Sequence, residues 1–156
     1  QLKSNMENLP QDKKIILFDG LCNLCDASVQ FLIKKDTKDV FRFVSLQSKL
    51  GKELLSKLPV AIQKTDSIIL YESETLFYYK SKAIFQIIKS LGGIFNCLLI
   101  FKLLPTYFTD TLYDLVAKNR YQWFGKKQHC LVPTKELKSK FLDEIVLHDK
   151  CHELVL

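Results

Sequence analysis

Apolar residues arrive along this chain in short bursts of two different periods. Ile15-Ile16-Leu17-Phe18 is an unbroken apolar run that stops at Asp19-Gly20, the pattern of a strand ended by a turn. From Asn23 to Lys35 the apolar residues Leu24, Ala27, Val29, Phe31, Leu32 and Ile33 fall on several faces, which predicts a largely buried helix. Val40 to Leu46 is aromatic and β-branched and predicts a second strand; Ser48 to Leu58 returns to helical spacing through Leu50, Leu54, Leu55 and Leu58. Ser67 to Tyr71 and Leu76 to Tyr79 predict two more strands. The short link between them makes the pair an antiparallel hairpin. Ser81 is expected to cap a helix from Lys82 to Leu91, ended by Gly92-Gly93.

The resulting order, βαβαββα, predicts an α/β fold: a four-stranded mixed sheet with helices on its faces, as in a thioredoxin-like or glutaredoxin-like core. That core is expected over about residues 13–91 of a single domain, with a helical C-terminal region over about 94–146 and tails at 1–12 and 147–156. In the added region, Ile94 to Leu104 is apolar and expected to be helical. Pro105 is expected to start a helix to about Lys118 with Phe108, Leu112, Leu115 and Val116 facing inward. Residues 119–127 mix aromatics and cations without a period and are expected to be a loop. Pro133-Thr134 is expected to open a last amphipathic helix carrying Leu137, Phe141 and Ile145.

Composition narrows the classes. The chain has 156 residues, 47% hydrophobic and 26% charged, enough for a core without covalent staples. Five cysteines without regular spacing do not form a secreted disulfide framework. The net charge of +6 is dispersed, which argues against nucleic acid as a partner. The longest apolar window, Ile94 to Leu104, is broken by Lys102 and Pro105, so no transmembrane span is expected. The polar stretch Gln1 to Gln11 lacks a signal-peptide core, and a cytoplasmic location is expected.

The chemistry centres on Cys22 and Cys25, three residues apart at the expected start of a helix. There the unpaired amides and the positive end of the helix dipole favour a thiolate on the outer sulfur, Cys22. This suits dithiol redox work, with Cys22 attacking and Cys25 resolving. Two other classes stay open. Cys22 and Cys25 could join His129 and Cys130, or Cys151 and His152, in a zinc-binding structural module. The apolar, Lys-flanked stretch from Ile84 to Leu104 could serve a membrane-surface adaptor. Asp19 can shape the turn before the helix, accept the proton of Cys25 during resolution, or do both. Cys97, inside an apolar run, is expected in the core, and His148 and His152 in solvent.

Three stretches, Phe-Asp-Gly-Leu-Cys-Asn-Leu-Cys (18–25), Phe-Arg-Phe-Val-Ser-Leu-Gln-Ser (41–48) and Asn-Arg-Tyr-Gln-Trp-Phe-Gly-Lys (119–126), followed by Cys130 and Pro133-Thr134, closely resemble the DCC family of thiol-disulfide oxidoreductases. The family's Asp and two Cys correspond to Asp19, Cys22 and Cys25. The resemblance implies a thioredoxin-like fold and exchange with a protein or small-thiol disulfide. It implies no organic cofactor or metal, and an electron donor or acceptor protein to complete turnover. It also marks Arg120, Tyr121 and Trp123 as site-lining residues, with Arg120 expected to favour a thiolate and Trp123 to wall off the site. Cys130 is either a third redox thiol or a small buried residue. Thioredoxin-like proteins usually place a cis-proline before the third core strand; here Thr65-Asp66 stand at that place and Pro59 comes too early.

Overall fold

The computed structural model describes residues 9–64, 67–73, 76–126 and 139–142. Its centre is strand β1 (Lys14–Phe18), parallel to β2 (Phe41–Ser45) and antiparallel to β3 (Ile69–Ser73), which pairs antiparallel with β4 (Leu76–Tyr79). The sheet order is β2-β1-β3-β4, the mixed four-stranded sheet of a thioredoxin-like fold. β1 is apolar and buried from Ile15 to Phe18 because both of its faces are covered. Ile16 and Phe18 point into one core with Phe41, Phe43 and Leu70, against Val29 and Leu32 of α1 (Asn23–Lys35) and Ala83 and Ile87 of α4 (Lys80–Leu91). Ile15 and Leu17 point into the other core with Val44, Ile69 and Tyr71, against Leu54 of α2 (Lys49–Ser56), Leu58, and Ile62 of the short α3 (Val60–Gln63).

Two local devices fix the core helices. Ser48 caps α2 by accepting from the Gly51 amide at 2.9 Å. Gly51 has to be glycine, since a Cβ there would run into the Ser45 carbonyl. Asp36 closes α1 onto β2, its carboxylate accepting from the amides of Val40 and Phe41, both at 2.9 Å.

The structure departs from the sequence reading at several points, each decided by tertiary partners. α1 is only half buried. Val29 and Leu32 meet the sheet, whereas Phe31 and Ala27 face outward. α4 starts at Lys80 with Tyr79 at its N-cap, and Ser81 lies inside the helix, where its hydroxyl bonds Asp110 instead of capping. Ile94 to Leu104 is not an α-helix covering the core but a 3-10 segment, Gly93–Leu103, with no buried residue; Cys97 on it is exposed. α5 (Thr106–Phe124) exposes Phe108, Leu112 and Leu115 and continues through the residues expected to be a loop. Phe141, expected in a helix, instead makes a parallel bridge to Phe43 beside β2, with Leu142 N donating to Phe43 O at 3.1 Å. Among the described residues no helix is long and apolar enough to cross a membrane.

Candidate active site

β1 delivers the chain to α1 through a turn that Asp19 organises. Asp19 Oδ1 accepts from the Leu21 amide at 3.0 Å, and the Asp19 carbonyl accepts from the Cys22 amide at 3.3 Å. Cys22 is the N-cap residue, extended at φ −93 and ψ 123, and its carbonyl accepts the first helical bond from Asp26 N at 3.0 Å. Cys25 follows in the first turn. Both thiols are free.

The two sulfurs are inequivalent. Burial pushes the Cys25 thiol up from its ordinary 9.0 to about 12; a hydrogen bond to Cys22 and the charge of Cys22 act in the same sense, Arg120 opposes them, and Asp19 adds to them. Cys25 therefore stays protonated at neutral pH and donates to the Cys22 sulfur. Exposure runs against the expected order, because Cys22 is fully buried and Cys25 only partly so. The cover is the end of α5. Lys126 forms an antiparallel bridge to Cys22, and Asn23 Nδ2 donates to the Phe124 carbonyl at 2.9 Å. Gly125, at φ +81, makes the turn that lays Lys126 across Cys22.

Asp19 is the hub behind the thiols. Oδ1 accepts from Gln47 Nε2 at 2.7 Å as well as from Leu21, and Oδ2 accepts from Arg120 Nη2 at 2.9 Å and from the Tyr121 hydroxyl. Asp19 and Arg120 are buried, so the guanidinium is what makes a buried carboxylate tolerable. Gln47 is itself held, accepting from the Gly20 amide at 3.0 Å and the Ser45 hydroxyl at 2.8 Å. The Arg120 guanidinium lies 4.9 Å from the centre of the Tyr121 ring, with Lys126 Nζ at 5.4 Å. Burial and the bond to Asp19 both raise the Tyr121 hydroxyl above its ordinary pKa.

A cavity of about 550 Å³ opens on the Cys25 side, walled mainly by apolar side chains such as Phe18, Ile87 and Leu98. Cys25, Asp19, Arg120, Ser28, Ser67 and Tyr113 supply its polar groups. The Tyr113 hydroxyl accepts from Ile68 N at 2.8 Å, and burial pushes it up to about 12. It stays neutral.

Of the site residues expected from sequence, the structure gathers Asp19, Cys22, Cys25, Arg120 and Tyr121. Trp123 stays 55% exposed and neither bonds Asp19 nor lines the cavity. Thr65, Asp66 and Cys130 lie outside the described residues, as do the zinc candidates His129, Cys151 and His152; among the described residues no three His, Cys, Asp or Glu side chains gather as a metal site. Sequence reasoning missed Gln47, Tyr113 and Lys126. Gln47 and Lys126 sit inside the quoted motifs 41–48 and 119–126 and carried a usable signal; Tyr113 carried none beyond its place on an amphipathic helix.

The sequence signature described as DCC1-like thiol-disulfide oxidoreductase matches residues 16–126, spanning every residue of this cluster. The chain belongs to this family. It is similar to the protein YuxK of Bacillus subtilis, 39% identical over 136 residues that cover 87% of this chain and 97% of YuxK. A chloroplastic DCC family protein of Arabidopsis thaliana is 37% identical over 131 residues, 83% of this chain and 76% of that protein. No solved structure matches. DCC membership supports a thiol-disulfide oxidoreductase role, and the matched span ends on Lys126, the residue that covers Cys22.

Proposed function

We propose that the chain exchanges dithiol and disulfide through Cys22 and Cys25, acting in the reducing direction on a protein or small-thiol disulfide. The observation that carries this is the hydrogen-bonded thiol pair at the α1 N-terminus, set beside the buried Asp19–Arg120 pair. The Cys22 thiolate attacks one sulfur of the substrate disulfide, and the other sulfur leaves as a thiolate. Cys25 then gives its proton to that substrate thiolate and attacks the Cys22 sulfur. The Cys22–Cys25 bond forms, the second substrate sulfur departs, and two electrons have passed to the substrate.

The chain's own groups divide this work. The Cys25 thiol, hydrogen-bonded to Cys22, places a donor beside the attacking sulfur. Arg120 counters the burial that holds Cys25 protonated, so it assists the resolving step. Asp19, engaged by four donors, positions Arg120 and Tyr121. Substrate reaches Cys22 only when the Lys126 bridge opens. An electron donor protein of a reducing compartment, the cytoplasm by the sequence expectation, restores the dithiol.

Mass spectrometry of alkylated protein across a glutathione redox series tests the proposal. A reversible, two-electron Cys22–Cys25 disulfide is expected, with Cys25→Ser accumulating a mixed disulfide at Cys22. A pair that never closes, or equal trapping by Cys22→Ser, overturns it.

A further inference from the structure

The strongest feature outside the thiol site is the surface built by the 3-10 segment and the start of α5. Every residue from 100 to 108 is exposed, among them Ile100, Phe101, Leu103, Leu104, Tyr107 and Phe108, with Leu103 at 84% and Tyr107 at 77%. Apolar side chains exposed in such a row mark a contact surface. The charge pattern says what kind. From Leu76 to Thr109 the sequence has no Asp or Glu and four lysines, Lys80, Lys82, Lys89 and Lys102. Lys80 pairs with Asp114. Lys82, Lys89 and Lys102 instead line one groove of about 340 Å³ with Tyr78, Phe85 and Leu99, and among the described residues none of the three has a carboxylate partner.

We propose that this face docks on an anionic lipid bilayer, with the side chains of 100–108 entering the acyl boundary and Lys82, Lys89 and Lys102 meeting lipid phosphates. Apolar insertion beside a cationic rim is the physical recipe for binding in the plane of such an interface. A second copy of the chain suits the face less well, because a two-fold contact sets a patch against itself and would bring cationic rims together.

Co-sedimentation of the full chain with phosphatidylglycerol–phosphatidylcholine vesicles, and with phosphatidylcholine alone, tests it. Binding to the anionic vesicles is expected and should weaken as salt rises. Phe101→Glu should lower partitioning at least tenfold, and Lys82→Gln, Lys89→Gln and Lys102→Gln together about a hundredfold, at roughly fivefold per lysine. All of these side chains lie at the surface or rim, so circular dichroism should show unchanged folding. Cys22→Ser should bind as wild type. No binding to anionic vesicles, or equal binding by folded Phe101→Glu, overturns the proposal. So does a stable dimer in light scattering that Phe101→Glu splits, which would assign the face to a second copy.

Discussion

Replacing Arg120 by Met removes the cation from a buried pair while keeping most of the side chain's volume. The contact is direct, Nη2 to Oδ2 at 2.9 Å, and each side chain is only 6% exposed. At an effective dielectric of about 20, opposite charges about 4 Å apart attract by roughly 4 kcal/mol. Removing one partner of a buried pair typically costs about 3–5 kcal/mol, mostly because the other charge is stranded. Asp19 is not wholly stranded, since Leu21, Gln47 and Tyr121 still donate to it. The low end therefore applies, a loss of about 3 kcal/mol, equivalent to a fall of about 6–12 °C in melting temperature for a chain of this size. The assay is urea denaturation of the reduced protein, run as a cycle with Asp19→Asn and the double variant. The double variant should cost less than the sum of the singles by about 2 kcal/mol or more. Arg120→Met should also slow resolution, because nothing then counters the burial of Cys25, and mixed disulfide should accumulate. A loss under about 1 kcal/mol with additive singles would refute the buried-pair account.

Three further outcomes follow from the same geometry. In folded, reduced protein exposed Cys97 should alkylate before buried Cys22, as peptide mapping of a short iodoacetamide pulse will show; Cys22 labelling as fast as Cys97 would mean that the Lys126 cover is absent in solution. Gly125→Ala, forced to φ +81 and ψ 164, should cost about 1–3 kcal/mol and, by loosening that cover, speed Cys22 alkylation by up to about tenfold. Cys25 is harder to ionise folded than unfolded, its pKa rising from 9.0 to about 12, so the stability it contributes is whole below about pH 9 and is lost as pH climbs towards 12. Urea midpoints between about pH 8 and pH 11 should fall more steeply in wild type than in Cys25→Ala, and equal slopes would count against the raised pKa.

The sheet and the thiol pair were legible in the sequence because short-range rules write them. A continuous apolar run means a strand covered on both sides, a four-residue link forces a hairpin, and Cys-x-x-C after a strand lands at a helix N-terminus. α1 and β4 accordingly fall on their expected bounds. Other features depended on partners far along the chain. Residues 119–124 lack a helical apolar period, yet they extend α5 because Arg120 and Tyr121 are drawn to Asp19, about a hundred positions away. No local pattern encodes that approach, nor the Lys126 bridge that buries Cys22, nor the bond between Tyr113 and Ile68. The apolar run after Gly92 carries the same limit. Its composition is that of a core helix, and only the tertiary structure, in which the sheet face is already filled by α1 and α4, leaves it outside as an exposed 3-10 segment.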